Sequence, residues 1–426
     1  MSPSPERIPN LQSAICNLQS PARDVVVVGA GPAGCTVAAL LARQGLRVLL
    51  LDKSASPPPK VCGEYLSPGC LRILDLIGAL KPLREAGARP LYGMSIHTAA
   101  GRTLRATYPC ETNSGAAQHG LGIPRTLLDP ILLDIAVKSG AEFARGFQVS
   151  DLTWENGRVI GVRGRLRGQE QIVPARLTVG ADGRHSVVAR RLGSVDQHGW
   201  LDKMALVGYV AGAKRAEDVG EIFLGHDRYC ILNPIGPDLT NIGLVINRRE
   251  FARGMDPARL LMGAGETLPS LGDRLASARL VGPVRCLGPL AHRAARLAAP
   301  GALLVGDAAG FLDPFTGEGI HAGLRSAELA AGFSLEALLR ESTAHGDLDA
   351  YAQAWEKEFL PKWRLCTGLQ YAIRHPALAE WVVGRLAPRP TLLTHLMAAV
   401  GDLIPARDLG PLRLLWRLLA RRSHPV

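Results

Sequence analysis

Two clusters of small residues carry the chemistry that this chain can do. In "DVVVVGAGPAGCTVAALLARQGLRVLLLD", residues 24 to 52, four valines run into Gly29-x-Gly31-x-x-Gly34 and the segment ends on Asp52. The glycines have separable roles. Gly29 permits a tight turn, Gly31 lets a diphosphate reach the backbone, and Gly34 lets a helix lie close to a strand. The amides that open the helix then face the anion. Asp52, with Lys53 beside it, is placed to accept hydrogen bonds from a ribose. This much identifies a dinucleotide and leaves NAD(P) and FAD open, because both carry the same ADP half.

The second cluster is "GDAAGFLDPFTGEGI", residues 306 to 320. A short apolar strand, 302 to 305, breaks at Gly306-Asp307, and the chain resumes after Gly317 as a helix of small residues. Asp307 at the strand end would meet a hydroxyl on the far side of the diphosphate, and a ribityl chain has such hydroxyls. Gly317, Gly319 and Ile320 would bring backbone against the flat ring beyond it. A helix N-terminus there favours the negative charge of a reduced flavin. Two loops that grip opposite ends of one extended cofactor point to FAD.

Elements must hold these loops together. Residues 24 to 52 read as a strand, a helix and a strand, a βαβ unit. The fold class expected is α/β: a Rossmann-like FAD-binding domain, an antiparallel-sheet substrate domain and a C-terminal helical region. The FAD-binding domain is discontinuous, from 23–97, 120–193 and 283–340. Within it, "VSDLTWENGRVIGVRG" reads as two strands about an Asn156-Gly157 turn. The substrate domain takes 98–119 and 194–282, where "MALVGYVAG", "GEIFLG" and "NIGLVIN" alternate as strands do. Residues 1–22 read as a disordered tail, and 341–426 as helices divided by prolines.

Composition narrows the function. The 426 residues are 47% hydrophobic and 20% charged, which suits more than one packed core. No 18-residue apolar run and no signal peptide is seen, so a cytoplasmic protein is expected. The net charge of +11 comes from arginines spread along the chain without interleaved aromatics, so nucleic acid is not an expected partner. Eight scattered cysteines form no C-x-x-C pair, which argues against structural zinc and iron–sulfur clusters; no metal is expected. In "PLRLLWRLLARRSHPV", Arg413, Arg417 and Arg421 oppose Leu412, Leu415 and Leu419. Residues 411–426 therefore read either as a helix lying on an anionic membrane or as a terminal helix packed on its own protein.

"VVVVGAGPAG", "TVGADGRHSVVARRLG" and "GDAAGFLDPFTGEGI" together resemble the FAD-dependent family of geranylgeranyl reductases and, more distantly, the aromatic-ring hydroxylases of the para-hydroxybenzoate hydroxylase fold. The likeness runs over roughly residues 24 to 340. It implies that Asp182, Gly183 and Arg125 lie by the cofactor and that Val149 lines the adenine. "KVCGEYLSPGCLRIL" resembles the cysteine-glycine loop that runs beside the flavin in the reductase branch. "YCILNPIGPDLTNIGL" resembles a degenerate form of that branch's aromatic substrate motif, with Ile231 and Asn233 where tryptophan and phenylalanine are expected. Cys62, Glu64, Tyr65 and Tyr229 are therefore the candidate catalytic helpers, Cys62 foremost. Ile231, Leu232 and the strand after them would line an apolar cavity.

The resemblance implies an FAD-dependent oxidoreductase that reduces carbon–carbon double bonds of an isoprenoid or other lipid-like substrate. The alternative is a monooxygenase that hydroxylates a quinone, phenol or polyketide. No second G-x-G-x-x-G follows a strand, so the electron donor is expected to be NAD(P)H docking transiently, or a reduced ferredoxin.

Overall fold

The computed structural model describes residues 23–54, 59–111, 115–252, 254–268, 270–340 and 348–410. The expected disordered tail, 1–22, and the amphipathic segment, 411–426, lie outside the described residues.

The first sheet has a parallel core of five strands in the order Ala302–Leu304, Gln169–Gly180, Arg23–Val28, Val48–Asp52 and Glu142–Arg145. Helices cover it, so its strands are buried on both sides and read as unbroken apolar runs; Val25, Val26 and Val27 are wholly inaccessible. Each such side chain contributes roughly 1.5–3 kcal/mol relative to exposure. Helix Pro32–Ala42 makes the crossover of the βαβ unit, with Pro32 at its first position. Phe147–Glu155 and Arg158–Leu166 form a hairpin that continues into Gln169–Gly180. Asn156 and Gly157 both have positive φ, 48° and 76°, as its two-residue turn requires.

The second sheet runs Arg279–Leu287, Lys203–Ala211, Leu239–Asn247, Tyr229–Pro234, Gly220–Leu224, Gly93–His97 and Thr103–Thr107. Only Gly220–Leu224 and Gly93–His97 pair in parallel. This sheet takes in residues 93–97 and all of 279–287, and so reaches across the 97/98 and 282/283 divisions expected from sequence. Its outer face is closed by helices Pro257–Met262 and Leu271–Leu275, over Leu206, Leu232 and Leu244. The expectation for Leu232 is thereby corrected: strand alternation turns it into this outer core, while Ile231 faces inward.

From 348 to 410 the described chain is mostly helical: Asp349–Arg374, Pro376–Leu386 and Pro390–Val400. Pro376 and Pro390 open their helices because a first-turn residue needs no amide donor. Met397 packs with Tyr65, Met94 and Tyr108, and Leu392 with Leu104, so these helices buttress the hairpin 93–107. Among the described residues no helix is long and apolar enough to cross a membrane, and no cluster of His, Cys, Asp and Glu could hold a metal ion.

Candidate functional site

The two small-residue loops meet at the C-terminal ends of the parallel strands, where ligands bind in open α/β sheets. A Cβ on Gly29 (φ +105°) would lie 2.4 Å from the Ala181 carbonyl oxygen, and one on Gly34 would lie 1.8 Å from the Gly29 oxygen. Gly31, which caps the helix, has nothing within 4 Å of that position. Two glycines are therefore required by the protein's own backbone, and the third leaves room for something else. Gly306 (φ +58°) comes against this turn: its Cβ would stand 3.0 Å from the Cβ of Ala33, and Gly323 lies against Ala33 as well. Helix Gly319–Leu339 can approach helix Pro32–Ala42 only because these positions carry no bulk.

Asp52 holds the first loop. Its Oδ2 accepts from the amide of Ala30 at 2.9 Å and its Oδ1 from Ser54 at 2.7 Å. A cleft beside it is lined by Gly31, Lys60, Asp129 and Arg145 among others. Asp182 lies against Gly29 and accepts from Val187 N at 2.6 Å; its Oδ1 is buried and has no hydrogen-bond partner among the described residues. Burial pushes its carboxyl up. Asp307 is open to solvent between the buried Gly306 and Ala308. His292 Nε2 donates to its carbonyl oxygen at 2.8 Å. Although the residue is exposed, partial desolvation of its carboxyl pushes that group up, and the charges of His292, Arg125, Arg184 and Lys60 pull it back.

Arg125 opens helix Arg125–Lys138 and grips Asp129 one turn on through two bonds of 2.6 and 2.7 Å, a buried bidentate pair. Its backbone amide donates to Glu64 Oε1 at 2.7 Å. The loop Cys62–Gly63–Glu64 is held from the second sheet by three side chains that lie side by side across adjacent strands, Tyr209, Asn241 and Asn233. Asn233 donates to the Gly63 carbonyl and Asn241 to that of Cys62, both at 2.9 Å; the Tyr209 hydroxyl donates to Glu64 Oε1 at 2.8 Å. Glu64 sits at φ 53°, a conformation that costs a non-glycine residue roughly 1–2 kcal/mol and persists because these bonds fix it. Burial pushes the Glu64 carboxyl and the Cys62 thiol up, the latter opposed by the Arg125 charge.

The FAD binding domain family matches residues 22–357, most of the chain. The chain belongs to the FAD binding domain family.

Like its relatives, this FAD binding domain protein is an FAD-dependent oxidoreductase. It is 28% identical over 434 residues to menaquinone reductase of Mycolicibacterium smegmatis, covering 95% of this chain and 97% of that protein. It is 30% identical over 403 residues to digeranylgeranylglycerophospholipid reductase of Methanothrix thermoacetophila, covering 93% and 96%. A solved structure of a flavin-dependent brominase has the same fold, with a TM-score of 0.80 at 20% identity over 91% of this chain and 97% of that one.

The residues of this FAD binding domain protein fit the cofactor. Open space at Gly31, the helix N-terminus, the charges of Lys60, Arg125 and Arg184, and the unpartnered Asp182 Oδ1 are what a diphosphate with hydroxyls on either side needs. The remaining sequence candidates divide. Gly317 (φ +66°) packs on the Tyr65 ring, where a Cβ would come within 2.8 Å, and Gly319 on that of Phe311, so this loop and the Cys62 loop share one wall. Ile320 is buried behind them, Val149 is buried in the principal core, and Lys53 is exposed. Tyr229 is fully buried on the inner face of the second sheet; its hydroxyl donates to Asp313 Oδ1 at 2.6 Å, and its ring meets Phe315 edge-on. Tyr65 donates to or accepts from Tyr108 and belongs to that wall rather than to an open site.

Sequence reasoning missed Tyr209 and Asn241 in this FAD binding domain protein and read Asn233 only as a departure from an aromatic motif. Strand register alone aligns the three, and register is a product of pairing.

Proposed function

We propose that this protein reduces a carbon–carbon double bond in an isoprenoid portion of a lipid-like substrate, with NAD(P)H docking transiently as electron donor. One observation carries the reading: the inner face of the second sheet is aliphatic. Ala205, Val207, Ile222, Ile231 and Val245 form it, with Gly243 in the middle and Phe311, Phe315 and Leu369 opposite. The donors on this face, Tyr229, Tyr209, Asn233 and Asn241, are engaged with Asp313 and the loop 62–64, so the methyl-rich remainder suits an alkyl chain better than a phenol. The names of the whole-length relatives, a menaquinone reductase and a digeranylgeranylglycerophospholipid reductase, support the same class.

FAD, when bound, supplies the hydride. The chain's own part is to hold substrate against the wall, exclude water and provide a proton. Cys62 is suited to giving that proton, because its raised thiol stays protonated at neutral pH and so serves as an acid and not a nucleophile. Asn233, Asn241 and Glu64 keep its loop in place.

Two experiments test this. Given a prenylated quinone or a geranylgeranyl lipid, reduced enzyme is expected to turn over without oxygen; oxygen consumption in step with NAD(P)H would instead establish the monooxygenase. Cys62→Ala is expected to slow flavin reoxidation by substrate about a hundredfold or more, the usual worth of a positioned acid, while flavin reduction is unchanged. An unaltered reoxidation rate removes Cys62 from the mechanism.

A further inference from the structure

Behind the loop 313–319 lies a group of buried polar side chains that no step above uses. Glu318 stands between Gly317 and Gly319, immediately before helix Gly319–Leu339, and is only 4% exposed. Its Oε1 has no hydrogen-bond partner among the described residues. Asp313 Oδ1 receives three donors, from Tyr229, Gln370 and the Phe315 amide, while its buried Oδ2 receives none among the described residues. From helix Asp349–Arg374, Lys362 reaches toward the same space, yet its ammonium is bound to Asp402 and to the Val400 carbonyl. Asp402 also accepts from Ser67 and faces His321 at 3.2 Å. The cation whose charge reaches Glu318 is therefore bound to other partners. Burial, Asp402 and Asp313 push its carboxyl up, Lys362 and Thr316 pull it down, and the balance lies at about 7. A buried carboxyl in that position changes form when a small charge appears nearby.

We infer that Glu318 is the proton acceptor linked to reduction of the flavin: its carboxylate takes up one proton when two electrons reach the cofactor. The inference rests on the FAD reading of this site. The balance is simple. An external donor gives two electrons, one proton goes to a flavin nitrogen, a second comes from solvent and forms the O–H bond of Glu318, and no other bond changes. The physical reason is that a reduced ring and an ionised Glu318 would be two like charges in one buried place. Protonation removes the second and leaves the helix N-terminus to the first.

The test uses the holoprotein and Glu318→Gln, reduced anaerobically by dithionite with a pH indicator, and their midpoint potentials on both sides of neutrality. Above neutrality the parent is expected to take up close to one proton more per flavin than the variant. Its reduction equilibrium should fall by an extra tenfold per pH unit, about 30 mV for two electrons. A carboxylic acid band should appear in the infrared difference spectrum on reduction of the parent alone. Equal proton counts and equal slopes overturn the inference. Should the variant fold poorly, the parent against free FAD decides, and no excess proton uptake by the parent overturns it equally. A protein that takes up no FAD fails the cofactor reading and this inference together; a holoprotein with no excess proton fails this inference alone.

Discussion

Gly31→Val is expected to fold as the parent does and to purify colourless, whereas Gly34→Val is expected to lose stability whether or not FAD is added. The two glycines stand three residues apart in one motif, so the contrast comes from what surrounds them. Gly31 has φ −81° and ψ −176°, extended backbone that valine adopts freely, and, its chain neighbours aside, no described residue comes within 4 Å of where its Cβ would be. A side chain there would meet the diphosphate that the FAD reading puts at this turn. The loss in affinity should be about a hundredfold or more, roughly 2.8 kcal/mol. At Gly34 the added carbon would lie 1.8 Å from a backbone oxygen that cannot move without opening the Gly29 turn. Overpacking of this kind costs about 3 kcal/mol or more. Thermal melts of the apoproteins and the ratio of flavin to protein absorbance separate the two effects. A Gly31→Val protein that still binds FAD tightly would show that the diphosphate lies elsewhere.

The second large effect is at Arg125. Its side chain is 13% exposed and that of its partner Asp129 is 8%, and the two bonds between them are short and parallel. Arg125→Leu leaves a buried carboxylate without its counter-ion, which costs about 3–5 kcal/mol. Arg125→Leu/Asp129→Leu should recover most of that loss, because a pair of apolar residues leaves no buried charge. Denaturant midpoints of the parent, both single variants and the double variant give the coupling directly. A cost below about 1 kcal/mol for Arg125→Leu would mean that water reaches the pair, as at surface ion pairs. Flavin affinity should fall in both proteins that lack Arg125, since its charge is one of those acting at Asp307.

Much of the site is legible in the residues alone. The spacing Gly29-x-Gly31-x-x-Gly34 with Asp52 is a local pattern: its turn, helix and strand are neighbours in the chain, so residue types alone identify these elements. The same holds for the Asn156-Gly157 hairpin, which depends on backbone freedom at two positions. The clamp on Glu64 is not legible. Tyr209, Asn233 and Asn241 come from three strands, and a shift of one residue in any pairing would turn that side chain to the opposite face. Leu232 was misplaced for the same reason, its facing being decided by pairing and not by its own character.

What the chain's residues determined by themselves was therefore the two glycine-rich turns and the elements that carry them, because steric permission is written one residue at a time. What only the tertiary structure decided was their meeting at Ala33, Gly306 and Gly323, the aliphatic wall of the second sheet, and the buried group around Glu318. Those features are made by residues far apart in the chain, and contact over such separations is settled by packing and strand register, which no short stretch of sequence contains.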